Sequence, residues 1–191
     1  MVYGKGFTDA RVALIGEAPG AYEDAEGLPF VGPSGKVLDK ILSQLKLKYK
    51  GKNVPEDKKV FLTNVVRCRP HDGQKNRAPK PDEVLTCRPW LEETLRMIQP
   101  NILVMIGRVS EAAVIGRRGF TYPMVLDGMV VYEVTHPAAY LRNTRSMDKD
   151  LALWEQIAKD ITDCVKAGAN RPRSTYRLPL LIHGRKEASN G

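Results

Sequence analysis

Three polar side chains that could do chemistry each stand at the end of an apolar run of the sequence. They are Glu17, Asn64 and His136. A carboxylate can position water, an amide both donates and accepts hydrogen bonds, and an imidazole can donate to an atom that gains negative charge. If the apolar runs are parallel strands, their carboxyl ends meet at one edge of a sheet, where α/β proteins bind ligands. We therefore expect these three side chains to face one pocket.

The segment 16–35 is a long loop after the first apolar run, and loops of this length are usually functional. Its glycines allow close backbone approach to a ligand, and Pro19 and Pro29 stiffen it. It contains neither G-x-x-x-x-G-K-[ST] nor G-x-G-x-x-G, and its acidic residues disfavour phosphate. The loop therefore argues against an enzyme that acts on free deoxynucleotides, which is one of two alternative functions that we consider.

Alternating strand and helix patterns indicate an α/β fold of three α/β/α layers around a central four-stranded parallel sheet. The predicted strands are 11–15, 60–66, 102–106 and 129–135. Helical spacing of apolar residues predicts helices over 36–45, 82–98, 109–115 and 148–167, with Ser34 and Asp82 as N-caps of the first two. An extra short strand is possible within 117–128. Right-handed crossovers then place the three long loops at one edge of the sheet.

Three motifs, in order, resemble those of the family 4 uracil-DNA glycosylases. The segment 16–35 matches G-E-x-P-G, E-D and G-x-P-F-V-G, 63–70 matches T-N-x-V-K-C-R-P, and 136–143 matches H-P-A-x-L-L-R-N. The resemblance extends over most of 12–164. It implies a uracil-DNA glycosylase-like fold and a monofunctional enzyme that flips deoxyuridine out of DNA, hydrolyses its N-glycosidic bond and leaves an abasic site.

The resemblance assigns uracil binding to Ala18, Glu23, Phe30 and Asn64. The amide of Asn64 can pair with O4 and N3–H of uracil together, although a turn-forming Asn is the alternative. Phe30 can stack on the flipped base, or it can simply pack in the core. By resemblance, Glu23 lines the pocket where the methyl group of thymine would lie, the alternative being a solvated surface Glu. The backbone N–H of Ala18 completes the set.

The resemblance makes His136 and Glu17 the catalytic residues. His136 donates to uracil O2 as charge develops there, and Glu17 holds the water and the sugar cation. Tyr140 or Leu141 is expected to wedge into the base stack and Arg142 to contact phosphate, unless Leu141 is buried under the last helix. Weaker phosphate candidates share only an exposed polar or basic character and are Ser34, Lys36, Lys75, Arg77 and Lys80.

The cysteines depart from the resembled family, which holds a [4Fe–4S] cluster with four thiolates. Cys68 and Cys87 match two ligand positions, but the other two belong to an N-terminal C-x-x-C segment that this sequence lacks. The expectation is an incomplete ligand set, with a cluster possible only if two ligands come from outside this chain. Either the sequence is a truncated form or its branch has lost the cluster. Cys164 is expected in the core, and a different metal held with His71 stays a weak alternative.

The remaining features concern partners and location. The 191 residues carry a formal net charge of +8, which favours a polyanion such as uracil-containing DNA. No apolar run of about eighteen residues and no signal sequence is present, so we expect no membrane partner and a cytoplasmic location. The predicted domain is 1–168, followed by a basic tail over 169–191, and no obligate protein partner is evident. The resemblance also raises an alternative reaction, because a related group of the same superfamily crosslinks covalently to DNA through a His in a K-R-R-I-H-like stretch. This sequence has no His directly after its basic stretch 74–79, so hydrolysis is favoured. The nearer alternative function is a catalytically weak module that binds uracil-DNA or single strands.

Overall fold

The chain folds around one six-stranded sheet. The computed structural model describes residues 1–116, 120–141, 145–168 and 170, with 145–149 described by their backbone alone. In chain order its strands are β1 (Lys5–Gly6), β2 (Val12–Gly16), β3 (Val60–Asn64), β6 (Ile102–Ile106), β7 (Met124–Leu126) and β8 (Met129–Val134), while β4 (His71–Asp72) and β5 (Lys75–Asn76) form a separate hairpin. The sheet order is β1-β3-β2-β6-β8-β7.

The four central strands, β3-β2-β6-β8, are mutually parallel, as predicted. Three of them, β2, β3 and β6, are buried at every position, because helices cover both faces of the sheet. The helices are α1 (Ala21–Glu26), α2 (Pro33–Gln44), α3 (Pro81–Ile98), α4 (Arg108–Ile115) and α5 (Arg145–Lys166). Short 3₁₀ turns cover Glu56–Lys58 and Pro137–Ala139.

Two separate apolar cores make the three layers. On one face, Val12 and Leu14 pack with residues of α2 and α5, including Leu38 and Trp154. On the other face, alternate residues of the same strands pack with α3 and α4. This is the predicted α/β/α arrangement, and it places the carboxyl ends of β2, β3 and β8 at one edge.

The structure confirms one short strand and adds another that the sequence patterns did not predict. β7, which pairs antiparallel with β8, lies within the segment 117–128 where an extra strand was considered. β1, which pairs antiparallel with β3, was not predicted, so short antiparallel strands flank the parallel sheet. The predicted caps are wrong: α2 begins after Gly32 with Pro33 at its first position, and α3 begins after Lys80. Both helices use a proline at the first turn, where the missing N–H costs nothing.

No described helix is long and apolar enough to cross a membrane. The predicted domain boundary at 168/169 stays a prediction, because the tail lies outside the described residues except for residue 170.

Candidate active site

The loops that follow β2, β3 and β8 enclose one pocket of about 350 Å³. Its walls include every residue proposed for catalysis or uracil binding: Glu17, Ala18, Glu23, Phe30, Asn64 and His136. The sheet explains this convergence. Gly16 pairs with Asn64 across β2 and β3, and Val134 of β8 ends beside Ile106 of β6. The structure therefore brings together side chains that are far apart in sequence.

Gly16, at the end of β2, lies against the side chains of Phe30 and Asn64, which form the floor of the pocket. A Cβ added at Gly16 would lie at 2.4 Å from Oδ1 of Asn64 and 2.6 Å from the Phe30 ring, so a side chain there would collide with both. Phe30 and Asn64 are both buried. The pocket floor thus brings an aromatic ring and a side-chain amide close together, a combination that can hold a flat heterocycle with polar edges.

The backbone at Phe30 is unusual and is held by its neighbours. Phe30 has φ of 53°, a conformation that costs energy for a residue with a side chain. A Cβ at Gly35 would lie at 2.3 Å from the Phe30 carbonyl, so α2 can pack this closely only with glycine there. Lys5 Nζ donates to the Phe30 carbonyl at 3.3 Å. The Phe30 ring packs in the core and lines the pocket at the same time.

Glu23 is 7% exposed, so the alternative of a solvated surface carboxylate is wrong. Its Oε2 accepts from the N–H of Gly20 at 3.0 Å, and its Oε1 accepts from Val31 and Gly32 at 3.0 and 2.8 Å. These bonds tie the two ends of the loop together around a carboxylate on α1. Glu23 therefore both lines the pocket and fixes its shape.

His136 begins the 3₁₀ turn after β8. Its Nδ1 accepts a hydrogen bond from the N–H of Ala138 at 3.2 Å, which assigns the ring proton of the neutral form to Nε2. Burial lowers the pKa of His136 below its ordinary value of 6.5, so the neutral form predominates at pH 7. The ring is thus prepared to donate one hydrogen bond from Nε2.

The loop that carries Glu17 and Ala18 is anchored to the loop after β3. The N–H of Val65 donates to the Gly16 carbonyl at 2.9 Å, and the N–H of Val66 donates to the Glu17 carbonyl at 3.3 Å. Glu17 and Ala18 are partly exposed and line the pocket. Glu17 and Asn64 therefore line the same pocket on two loops that are hydrogen-bonded to each other.

Tyr140 is not the wedge, because its side chain is 2% exposed. Its hydroxyl donates to Oδ2 of Asp150 at 2.6 Å, which anchors the end of the His136 turn to α5. Burial, followed by the hydrogen bond to Asp150, raises the pKa of Tyr140. The next residue, Leu141, is 53% exposed, so the alternative that it is buried is also wrong. Arg142 lies outside the described residues, and its phosphate contact stays a prediction.

The pocket wall also includes Asn76 and Arg77, which were not predicted to line it. Asn76 belongs to the β4–β5 hairpin and Arg77 directly follows it, in a segment that the sequence patterns described only as a loop. Arg77 is bound by Glu83 at 2.8 and 2.6 Å, and its Nε lies 3.3 Å from Asp72. The hydrogen bonds from Arg77 lower the pKa of Glu83 to about 2. Arg77 thus acts as a structural clamp, and its phosphate contact stays a prediction. The sequence signal for the hairpin is Gly73 at the first central position of a two-residue loop.

Two of the cysteines share a surface cleft of about 220 Å³: Cys68, which is exposed, and Cys87, which is half-buried. Cys164 belongs to α5, which covers the opposite face of the sheet from Cys87. Among the described residues no three His, Cys, Asp or Glu side chains are grouped for a metal ion, so His71 does not join the pair. The donor set does not fit a four-thiolate cluster.

We predict that the purified 191-residue chain lacks a complete [4Fe–4S] cluster. Such a cluster needs four thiolates, whereas the chain has three cysteines and only two of them face one cleft. Metal analysis should find far fewer than four irons per chain and no thiolate-to-iron absorption. A brown protein with about four irons per chain would contradict this prediction.

Comparison with known proteins agrees with the geometry. Residues 3–161 match the model of the uracil DNA glycosylase superfamily. The type-4 uracil-DNA glycosylase of Saccharolobus solfataricus is 38% identical over 155 residues, covering 74% of this chain and 67% of that protein. The enzyme of the same name from Pyrobaculum aerophilum is 36% identical over 169 residues, covering 80% and 81%.

A third relative, the type-4 uracil-DNA glycosylase of Sulfurisphaera tokodaii, is 34% identical over 155 residues, which are 74% of this chain and 66% of that protein. The chain therefore spans about two thirds of the length of two of these three relatives. The superfamily match covers the whole sheet and all three loops of the pocket. The chain belongs to the uracil-DNA glycosylase superfamily, as a relative of its type-4 members.

Proposed function

We propose that this protein hydrolyses the N-glycosidic bond of deoxyuridine in DNA, releasing uracil and leaving an abasic site. The observation that carries the proposal is the convergence of Asn64, Phe30 and His136 on one pocket of about 350 Å³. The names of the relatives support the same activity. A target base inside a duplex cannot reach such a pocket, so the nucleotide must be flipped out of the stack.

Recognition of uracil rests on the pocket floor. The Asn64 amide donates to O4 and accepts from N3–H, while the Phe30 ring packs on the base. Glu23 holds the surrounding loop through three backbone N–H groups, so the wall cannot move aside easily. A rigid wall at this place disfavours the additional methyl group of thymine.

Cleavage breaks the bond between C1′ of the sugar and N1 of uracil, and the electron pair leaves with the base. Negative charge then gathers on uracil O2, where Nε2–H of His136 donates a hydrogen bond. Water adds to the cation-like C1′ and loses a proton, which the departing uracil takes up directly or through solvent. The Glu17 carboxylate orients this water and stabilises the positive sugar.

Leu141 is exposed and follows the 3₁₀ turn that begins at His136, and we assign it to fill the gap that the flipped nucleotide leaves. We expect Leu141→Ala to lower uracil excision from duplex DNA roughly tenfold, because about 1.4 kcal/mol of lost stacking corresponds to that factor. Single-turnover rates on duplex and single-stranded uracil oligonucleotides measure the effect. The single strand is the control, since it has no stack to refill and should be cleaved within about twofold of wild type. Equal losses on both substrates would mean that Leu141 is not a wedge.

A cleavage assay separates this proposal from a module of the same fold that only binds DNA. The enzyme converts a uracil oligonucleotide into alkali-labile sites, whereas a binding module retains it intact. A monofunctional enzyme needs the alkali step for strand breakage. The cytoplasmic location and the absence of an obligate protein partner stay predictions.

A further inference from the structure

The β4–β5 hairpin projects beside the pocket at the edge where DNA must approach. It consists of His71–Asp72 and Lys75–Asn76, joined through Gly73 and Gln74. Gly73 has φ of 67°, as the first central residue of such a tight loop requires. The Arg77–Glu83 ion pair ties the end of the hairpin to the start of α3, and the N–H of Arg77 donates to the Pro70 carbonyl at 3.1 Å. The hairpin is therefore held in a fixed position.

The side chain of Asn76 is oriented by Arg69. Nε of Arg69 donates to Oδ1 of Asn76 at 2.7 Å, and Nη2 of Arg69 donates to the Gln74 carbonyl at 2.9 Å. Since a guanidinium can only donate, the oxygen of the amide must face Arg69 and its NH₂ group must face away. A Cβ added at Gly20 would lie 3.2 Å from Nδ2 of Asn76, so the donor lies against the Gly20 wall of the pocket. No described residue accepts a hydrogen bond from Nδ2.

The position of Asn76 suits the backbone of DNA rather than the base. Asn64 is buried at the floor, whereas Asn76 is exposed at the mouth. A base held on the floor leaves its sugar and the adjoining phosphates at the mouth, where an N–H donor polarised by Arg69 meets phosphate oxygens.

The hairpin and Leu141 also lie on opposite sides of the pocket. The hairpin follows β3 and Leu141 follows β8, with β2 and β6 between these strands. Neighbouring strands are about 4.8 Å apart, so the ends of β3 and β8, from which the two features start, are about 14 Å apart across the sheet. The two features can thus contact the DNA on either side of one extruded nucleotide.

We propose that the β4–β5 hairpin is a second DNA contact, in which Nδ2 of Asn76 donates to a backbone phosphate next to the flipped deoxyuridine. This inference rests on the proposed function and names a residue that holds the substrate strand. Asn76 is a binding residue in this account, and it takes no part in breaking the glycosidic bond.

The test compares Asn76→Ala with Lys75→Ala. Residue 75 is adjacent to Asn76 in β5, so its side chain points to the other face of the hairpin, away from the pocket. Affinity for a uracil oligonucleotide is measured over a range of salt concentrations, together with single-turnover rates at saturating protein. The same measurements use oligonucleotides in which one phosphate at a time beside the uracil is an uncharged methylphosphonate.

Asn76→Ala should raise Kd about tenfold, the usual effect of losing one hydrogen bond to a charged group. The saturated rate should stay within about twofold, and the salt dependence of binding should not change, because Asn carries no charge. A methylphosphonate at the one phosphate that Asn76 contacts should raise the Kd of the wild type by a similar factor. The same substitution should leave the Kd of Asn76→Ala almost unchanged. Lys75→Ala should bind like the wild type at high salt.

Two results would overturn the inference. A Kd for Asn76→Ala within twofold of wild type would show that the hairpin does not hold DNA. A large fall in the saturated rate with unchanged Kd would place the amide on the reacting nucleotide instead. Uracil release by the wild type in the same reactions tests the proposed function separately, so the two failures can be distinguished.

Discussion

His136→Ala is expected to lower the single-turnover rate of uracil release by roughly two to three powers of ten, the cost of losing one donor to a developing oxyanion. The donor is already prepared, because Nδ1 accepts from Ala138 and leaves the proton on Nε2. Binding to uracil DNA should change much less, since O2 carries little charge before the bond breaks. Rates within a few-fold of wild type would make His136 a structural residue.

The pH dependence of the wild type is a control for this assignment. Burial lowers the pKa of His136, so the neutral ring is favoured in the folded protein. Protonation at low pH would place a proton on Nδ1 facing the N–H of Ala138 and break that hydrogen bond. The rate should therefore be constant above about pH 6.5 and fall only as the pH decreases through the lowered pKa. In His136→Ala this decrease should disappear.

Asn64→Asp is expected to abolish most uracil excision while leaving the fold intact, since the two side chains have nearly the same shape. An ionised Asp only accepts hydrogen bonds, so it repels O4 and leaves that buried oxygen without a donor. The mismatch costs about 1–3 kcal/mol or more, so the rate of uracil excision should fall by about five- to 150-fold or more. The same variant should excise cytosine weakly, because the 4-amino group of cytosine donates where O4 of uracil accepts.

Matched uracil and cytosine oligonucleotides, cleaved by both proteins, measure this prediction. A thermal melt of Asn64→Asp that coincides with the wild type is the control for folding. If the Asp variant excises uracil at the wild-type rate, Asn64 does not recognise the base.

The sequence predicted the parts of the molecule whose pattern is regular. The strand that ends at Ile106 is apolar throughout because it is buried on both faces. A continuous apolar run of this kind is sufficient to predict a central parallel strand. Two-residue strands such as Lys5–Gly6 and His71–Asp72 have no periodicity to detect, so the edge of the sheet and the hairpin were missed.

The site shows the same division. Glu17, Asn64 and His136 were predicted to converge because strand ends define a common edge, and they do. The burial of Glu23 depends on three backbone N–H groups that only the folded loop brings together. The choice between Tyr140 and Leu141 depends on the 3₁₀ turn after His136, which points one residue to α5 and exposes the next.

The most direct test of the account is uracil release from DNA. The purified protein is incubated with two oligonucleotides that differ only in uracil or thymine at one position, and free base and alkali-labile sites are both measured. We predict one free uracil for each alkali-labile site in the uracil strand and no reaction with the thymine strand. Tight binding of the uracil strand without release of uracil would contradict the proposed function and leave a DNA-binding module of the same fold.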